Sequence, residues 1–489
     1  MIQHYTILST SSLYITRTFS RPMSCGCILR RFRPRTGPEH DFFAFVNADF
    51  LANRNIPSDR TSCSTWDDIS DECDAELAQV VRDAEPDIWK CAMSKCGSDA
   101  MHTLLGVADR AASGDAFALG ELHAYGVNAL FSARVEPSPR DGDNMYILKL
   151  GEGGISLPTG RYYRTHERVY RNHILKMMRM ADDEYGCTMP YNTSSASAAF
   201  EIERWVCFAQ MSPADSQDAT KTNHVIDFDR LPRGFDWAAY VRGIGCVSIP
   251  EKVNVEYMKS LEKAVQLLSG NPSKIRAHLR WRCIDMIASH MGPAWERAQF
   301  DFYGRAMLGE KKNRKKAKRR VDVICSLMPY AIGKAFVDAR AEDHADNKAA
   351  AQIVVQSVAK SLRDTFETST VLSDKVITDW VSKIDALRYK IGFPDTIPPE
   401  DLERESTEGR DWPEFVIASN RRNLHAETAR IGHAPNLDRW TDMMPYTVNA
   451  CFVPELNEII VPAALLRPPL FDRSQGDITR YLYLYNSSG

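Results

Sequence analysis

Apolar residues recur at steps of three and four along most of this 489-residue chain, and β-branched alternation at steps of two is rare before residue 446. That spacing places apolar side chains on one face of an α-helix, so the chain must bury many amphipathic helices against one another. Trp66, Ile69, Cys73, Leu77 and Val80/Val81 form one such face. Ser64 or Thr65 can cap it, and Asp67 and Asp68 fall in the first turn, where the helix dipole favours negative charge. A second face runs through His166, Val169/Tyr170, His173/Ile174, Met177/Met178 and Ala181, and a third through Ala351, Val354/Val355, Val358, Leu362 and Phe366. No internal repeat interrupts the pattern. The expected fold is mainly α: a large multi-helix domain with a few short strands.

One stretch departs from this. Val448–Val453 and Glu458–Val461 are short β-branched or aromatic runs separated by Pro454, Glu455, Leu456 and Asn457. The pair reads as a β-hairpin near the C-terminus. Pro462 ends strand pairing, and Pro468-Pro469 forces an extended exit.

A net charge of -3 gives no global pull toward nucleic acid or an acidic membrane. No run approaches the roughly 18 apolar residues of a membrane span. Residues 1–38 carry arginines but no Asp or Glu, the composition of a disordered basic leader or a transit peptide, and the compartment stays unknown. The cysteines have no zinc-ribbon spacing and read as buried or free thiols. Lys311–Arg320 is densely basic, which suits either a solvated loop before a Val321–Phe336 helix or a polyanion patch.

Several blocks occur in a fixed order. Asp41-Phe42-Phe43-Ala44-Phe45-Val46-Asn47 is followed by Ile56-Pro57 and Ser64-Thr65-Trp66. Then come Leu119-Gly120, Gly126–Phe131, Gly153-Gly154-Ile155-Ser156-Leu157-Pro158, Lys221-Thr222-Asn223, Phe235-Asp236-Trp237, Phe302-Tyr303-Gly304 and Lys390–Asp395. Together with the hairpin they resemble the neprilysin-like zinc metalloendopeptidases, peptidase family M13, over residues 39–472. The resemblance implies a helical N-terminal domain at 39–440, a substrate-edge hairpin segment at 441–472 and a divergent tail at 473–489. It also implies that Asn449, Ala450 and Phe452 bind a peptide substrate as an added strand.

The chemistry of that family needs zinc held by His-Glu-x-x-His, in which two imidazoles share a helix face while the carboxylate takes a proton from metal-bound water. No such sequence occurs here. His166-Glu167 is followed by Tyr170 where the second imidazole is required, and His173 lies about 10 Å further along the axis. His425 and His433 are separated by what reads as loop. The chain offers no nucleophile elbow, Walker loop or dinucleotide loop. The arginine that clamps a substrate carboxylate in some relatives aligns with Ser62, with Arg60 the nearest cation. The expectation is therefore no catalytic residue, no metal ligand and no cofactor in this chain, although the family uses zinc. The chain reads as an inactive or truncated homologue that keeps a peptide-binding hairpin. The alternatives are an active endopeptidase completed by another chain or by a shifted reading frame, and a polyanion-binding protein. The expected partners are a peptide and a protein that covers an exposed apolar face, without nucleic acid. Asn192-Thr193-Ser194 and Asn486-Ser487-Ser488 match glycosylation sequons.

Overall fold

Thr65–Ala84 is a helix whose Ser64 cap accepts from the Asp67 amide at 3.3 Å, and it buries Ile69, Cys73, Leu77, Val80 and Val81. Trp66, expected on the same face, is only half-buried and packs beside the hairpin. The computed structural model describes residues 39–473 apart from 95, 98, 141, 187–190, 219–220 and 441–442. The leader, the tail beyond Arg473 and the Asn486 sequon lie outside the described residues.

The fold is mainly helical, as the periodicity requires. Its largest core joins the Asp99–Ala112, Glu167–Tyr185, Thr193–Ala209 and Pro272–Ala288 helices. In the Glu167–Tyr185 helix Tyr170, His173, Ile174, Met177, Met178 and Ala181 are buried, but Val169 is exposed and His166 stands at the N-cap. Asn192 caps the Thr193–Ala209 helix, its side chain accepting from the Ser194 and Ser195 amides at 2.9 and 3.1 Å.

Against this core lies a four-stranded sheet: β1 (Phe131–Pro137), β2 (Tyr146–Glu152), β3 (His224–Asp227) and β4 (Lys252–Val255), in the order β1-β2-β4-β3. Alternation could not reveal it. In β2 every residue from Tyr146 to Gly151 is buried, Lys149 included, so the period of two disappears. The ordered blocks acquire physical reasons here. A Cβ on Gly120 would overlap the Tyr240 carbonyl where the Ala116–Ala124 and Trp237–Gly243 helices cross. Gly154, at φ 75°, turns the chain where a Cβ would meet the Ala129 carbonyl. Asn223, also at positive φ, accepts from the buried Lys149 at 2.9 Å and from Asn254 at 3.0 Å.

A second core packs the Thr65–Ala84 helix on Lys316–Leu327, Pro329–Asp338 and Trp412–Thr428. The expected Val321–Phe336 helix is two helices. Pro329 cannot continue the first, so a new helix starts with proline in its first turn. The first already includes the basic residues from Lys316 onward.

The hairpin strands are β6 (Cys451–Val453) and β7 (Glu458–Pro462). Val448–Ala450, expected as strand, lead into β6 without pairing. β7 also pairs in parallel with β5 (Arg388–Gly392), giving the order β5-β7-β6. Successive residues of a strand point to opposite faces. Accordingly Ile459 and Val461 pack with Ile391 and Ala351 on one side, and Ile460 with Tyr330 and Trp440 on the other.

Candidate functional site

The lead-in to the hairpin is fixed before it reaches β6. Thr447 N donates to the Met444 carbonyl at 2.8 Å, and Thr447 Oγ1 accepts from Met444 N at 3.1 Å. The Tyr446 hydroxyl donates to the Cys325 carbonyl at 2.9 Å, and Ala464 N donates to the Pro445 carbonyl at 2.8 Å. Burial drives the Tyr446 phenol well above its ordinary range, so it remains a donor. Val448 then joins the apolar clusters on both sides.

Asn449 and Ala450 follow, both half-buried. Asn449 Oδ1 accepts from the Ala450 amide at 2.9 Å. That local bond occupies one end of the side-chain fork; its Nδ2 has no protein partner among the described residues. Ala450 packs its methyl toward the Ile391–Val461 cluster. β6 itself is an edge: among the described strands only β7 pairs with it. Such an edge offers main-chain donors and acceptors to an extended chain.

Phe452 lies opposite Ile459 and is 42% exposed. The ammonium of Lys383 stands 5.7 Å from its ring centroid and 5.8 Å from that of Trp380, and Trp380 stacks on Phe366 at 5.0 Å. Phe452 thus continues an aromatic shelf supplied by the Ala341–Glu367 and Asp374–Asp385 helices. Of the expected Ala341–Glu367 face only Ala351 and Val354 are buried, while Leu362 is exposed. Exposed Ile353, Val371, Leu372, Val376 and Trp380 also belong to this region. A bare apolar surface therefore sits on these two helices beside the hairpin, and Phe42, Phe43, Phe45 and Val46 of the entry helices are exposed as well. Periodicity identifies an apolar face without identifying what covers it.

Beneath the hairpin, Lys390 and Glu458 are both nearly inaccessible and form an ion pair at 2.8 Å, off the alignment of a hydrogen bond. Lys390 Nζ also donates to the Arg439 carbonyl at 2.7 Å. A period reading does not find this pair, since its members are 68 positions apart by number (458 − 390) and meet only through the parallel β5/β7 register.

The histidines do not converge. The His173 ring stacks on Phe302 at 4.6 Å, and His166 stacks on Tyr162 at 5.4 Å. His425 lies on the Trp412–Thr428 helix, not in a loop, and His433 follows beyond its end. Among the described residues no three His, Cys, Asp or Glu side chains are grouped as ligands of one ion. These residues do not fit a zinc ion. Arg60 is engaged by Asp71 at 2.7 Å and Asp67 at 3.6 Å, the Asp71 hydrogen bond raising its pKa. Cys63, Cys73, Cys91, Cys96, Cys207, Cys246, Cys283 and Cys325 are free thiols. No described helix is long and apolar enough to cross a membrane.

The fold is that of solved zinc metalloproteases. Zmp1 of Mycobacterium tuberculosis is 24% identical with a TM-score of 0.81, the match covering 92% of this chain and 71% of that one. PepO of Lactobacillus rhamnosis is 17% identical with a TM-score of 0.78, covering 90% of this chain and 73% of PepO. Residues 38–394 match the model described as Peptidase family M13, and the chain belongs to that family. An endothelin-converting enzyme homolog of Locusta migratoria is 24% identical over 369 residues, 71% of this chain and 50% of the relative. Neprilysin-3 of Drosophila melanogaster is 21% identical over 71% of this chain and 46% of its own length. The chain spans about half the length of these curated relatives.

Proposed function

We propose that this chain is the peptide-cradling helical part of a neprilysin-like metalloendopeptidase, and that by itself it binds peptides without hydrolysing them. An extended peptide adds to β6, the Asn449 amide supplies an oriented donor, and Phe452 supplies an apolar contact. The observation that supports this best is the open β6 edge beside an exposed aromatic shelf. Main-chain pairing would give affinity, and alternate side-chain contacts would give preference. The exposed apolar surface of the Ala341–Glu367 and Asp374–Asp385 helices is the face we assign to a protein partner.

The absence of hydrolysis rests on the sequence, which contains no His-Glu-x-x-His. Fluorescence polarisation of a labelled extended peptide tests the binding, with Phe452→Ala expected to weaken it about tenfold, a loss of about 1.4 kcal/mol. Unchanged affinity in Phe452→Ala and Asn449→Ala together would remove the edge assignment. Stoichiometric zinc with peptide cleavage by the purified chain would instead favour an active endopeptidase.

The polyanion alternative finds less support. Lys318 pairs with Asp71 and Asp74 at 2.8 and 2.5 Å, Arg314 with Asp322 at 2.7 Å, and Arg319 and Arg320 with Glu296. Much of the basic run is neutralised by the chain itself, leaving few charges to release counterions from a nucleic acid.

A further inference from the structure

The Trp412–Thr428 helix lines a concave surface that shares no residue with the hairpin. Glu414, Ile417, Ala418, Arg421, Arg422 and His425 recur at three- and four-residue steps, so one helical stripe forms a wall. Tyr125 and Thr103 face it across a cleft of about 740 Å³. That size lies within the range of small-molecule sites, about 300–1,000 Å³.

The charges in this cleft are unevenly satisfied. Arg410 pairs with Glu405 at 2.8 Å, and Glu414 accepts from the Asp411 amide at 2.9 Å as part of the helix cap. Arg421 and Arg422 form no ion pair among the described residues, although Glu405 and Glu403 act on Arg422 from further off. Arg421 instead stands over the Tyr125 ring at 5.8 Å, and Arg422 Nη2 donates to Asn423 Oδ1 at 2.9 Å. Arg422 Nε and His425 Nε2 are shut off from solvent, the latter against Gly245, so the groups open to the cleft are the ends of the two guanidinium forks. The His425 ring is also held in place: Gly245, at φ 96°, leaves room for it where any Cβ would overlap. Burial, helped by Arg421, depresses the His425 pKa.

We propose that this cleft binds a small oxyanion-bearing molecule with an apolar or aromatic body. The forks of Arg421 and Arg422 hold the phosphate or carboxylate, and the body lies along Tyr125 and Ile417. Planar guanidinium forks match either oxyanion, whereas a lysine would present only a point charge.

Isothermal titration of the purified chain with phenyl phosphate, benzoate and inorganic phosphate tests this. The expected result is saturable one-to-one binding of phenyl phosphate or benzoate, tighter than inorganic phosphate; the tighter of the two identifies the oxyanion. Arg421→Ala and Arg422→Ala should each weaken binding at least tenfold. Arg422→Lys, which keeps the charge and the fold but loses the fork, should also weaken it. The exposed pair Lys311→Ala/Lys312→Ala should leave it unchanged. No saturable heat with any probe would overturn the proposal, and so would an equal loss in the lysine control. Ligand-free melting curves that match the unsubstituted chain tie any loss to the cleft.

Discussion

Asn457 Nδ2 donates to the Lys383 carbonyl at 2.8 Å, joining the hairpin turn to the last turn of the Asp374–Asp385 helix. Asn457 sits in the left-handed region at φ 48°, ψ 53°, and the next residue begins β7. The same helix carries Lys383 to the exposed ring of Phe452. The orientation of the edge strand and that of the aromatic shelf are therefore set by one turn. Asn457→Ala loses the bond and the short amide side chain that makes the left-handed conformation tolerable, so it should destabilise by about 1–2 kcal/mol. Asn457→Gly restores the backbone freedom but not the bond and should cost less. Urea titration of both variants gives the order; an equal cost would mean that the left-handed conformation is unimportant.

The Lys390–Glu458 pair should respond asymmetrically. Lys390→Met leaves a buried carboxylate with Arg388 Nε, at 3.6 Å, as its remaining cation. The expected loss is roughly 3 kcal/mol, because removing one member of a buried pair strands the other. Lys390→Met with Glu458→Gln should recover most of it, and chemical denaturation of the unsubstituted chain, both single variants and the double variant measures the coupling.

Arg320 belongs to the basic run but behaves as a core residue. It is 2% exposed, lies 5.2 Å from the Trp412 ring centroid, and donates to the Ala92 and Ser289 carbonyls at 3.1 Å. Arg320→Met should destabilise by about 3–5 kcal/mol, since buried acceptors and Glu296 lose their partner. Lys312→Ala, in the same run, should stay within about 0.5 kcal/mol. Thermal melts of the two variants separate structural from solvated cations.

Stability should fall on both sides of mildly acidic pH. Burial depresses His173 to about 4 and His278 to about 4 from 6.5. Their contribution is full above pH 6.5 and is lost as pH falls toward 4, where the unfolded chain binds more protons. The His173 ring has an unpartnered Nε2 and aromatic neighbours, so His173→Phe should move the acid transition to lower pH. Glu152 acts in the opposite sense. Burial raises it to about 7 despite the Met211 amide bond. Its contribution is full below the ordinary value of 4.5 and is lost as pH rises through about 7. Glu152→Gln should flatten the decline between pH 5 and 8. Melting temperatures measured across pH test both limbs; an unchanged acid midpoint in His173→Phe would exclude that residue as a cause.

How legible the molecule was from its residues depended on the period. The Thr65–Ala84 helix and its Ser64 cap were readable because five buried positions repeat at three and four and the cap precedes them directly. The hairpin was readable from its turn residues, although strand β6 begins three residues later than the β-branched run suggests. Strand β2 was not readable, because a strand buried on both faces shows no alternation. Asn449 and Phe452 could be named from the block resemblance, whereas the shelf of Phe366, Trp380 and Lys383 beside them could not. Helices that carry apolar residues look alike in sequence whether another layer covers them or not.

The sequence by itself determined the helices, their caps, the hairpin turn and the membership of the ordered blocks, because these depend on neighbours within a few positions. Tertiary structure alone decided that β5 joins the hairpin in parallel, that Arg320 is core while Lys312 is not, and that Arg421, Arg422 and His425 line one cleft. Each of those depends on groups brought together from distant parts of the chain, and no local spacing encodes which surfaces will meet.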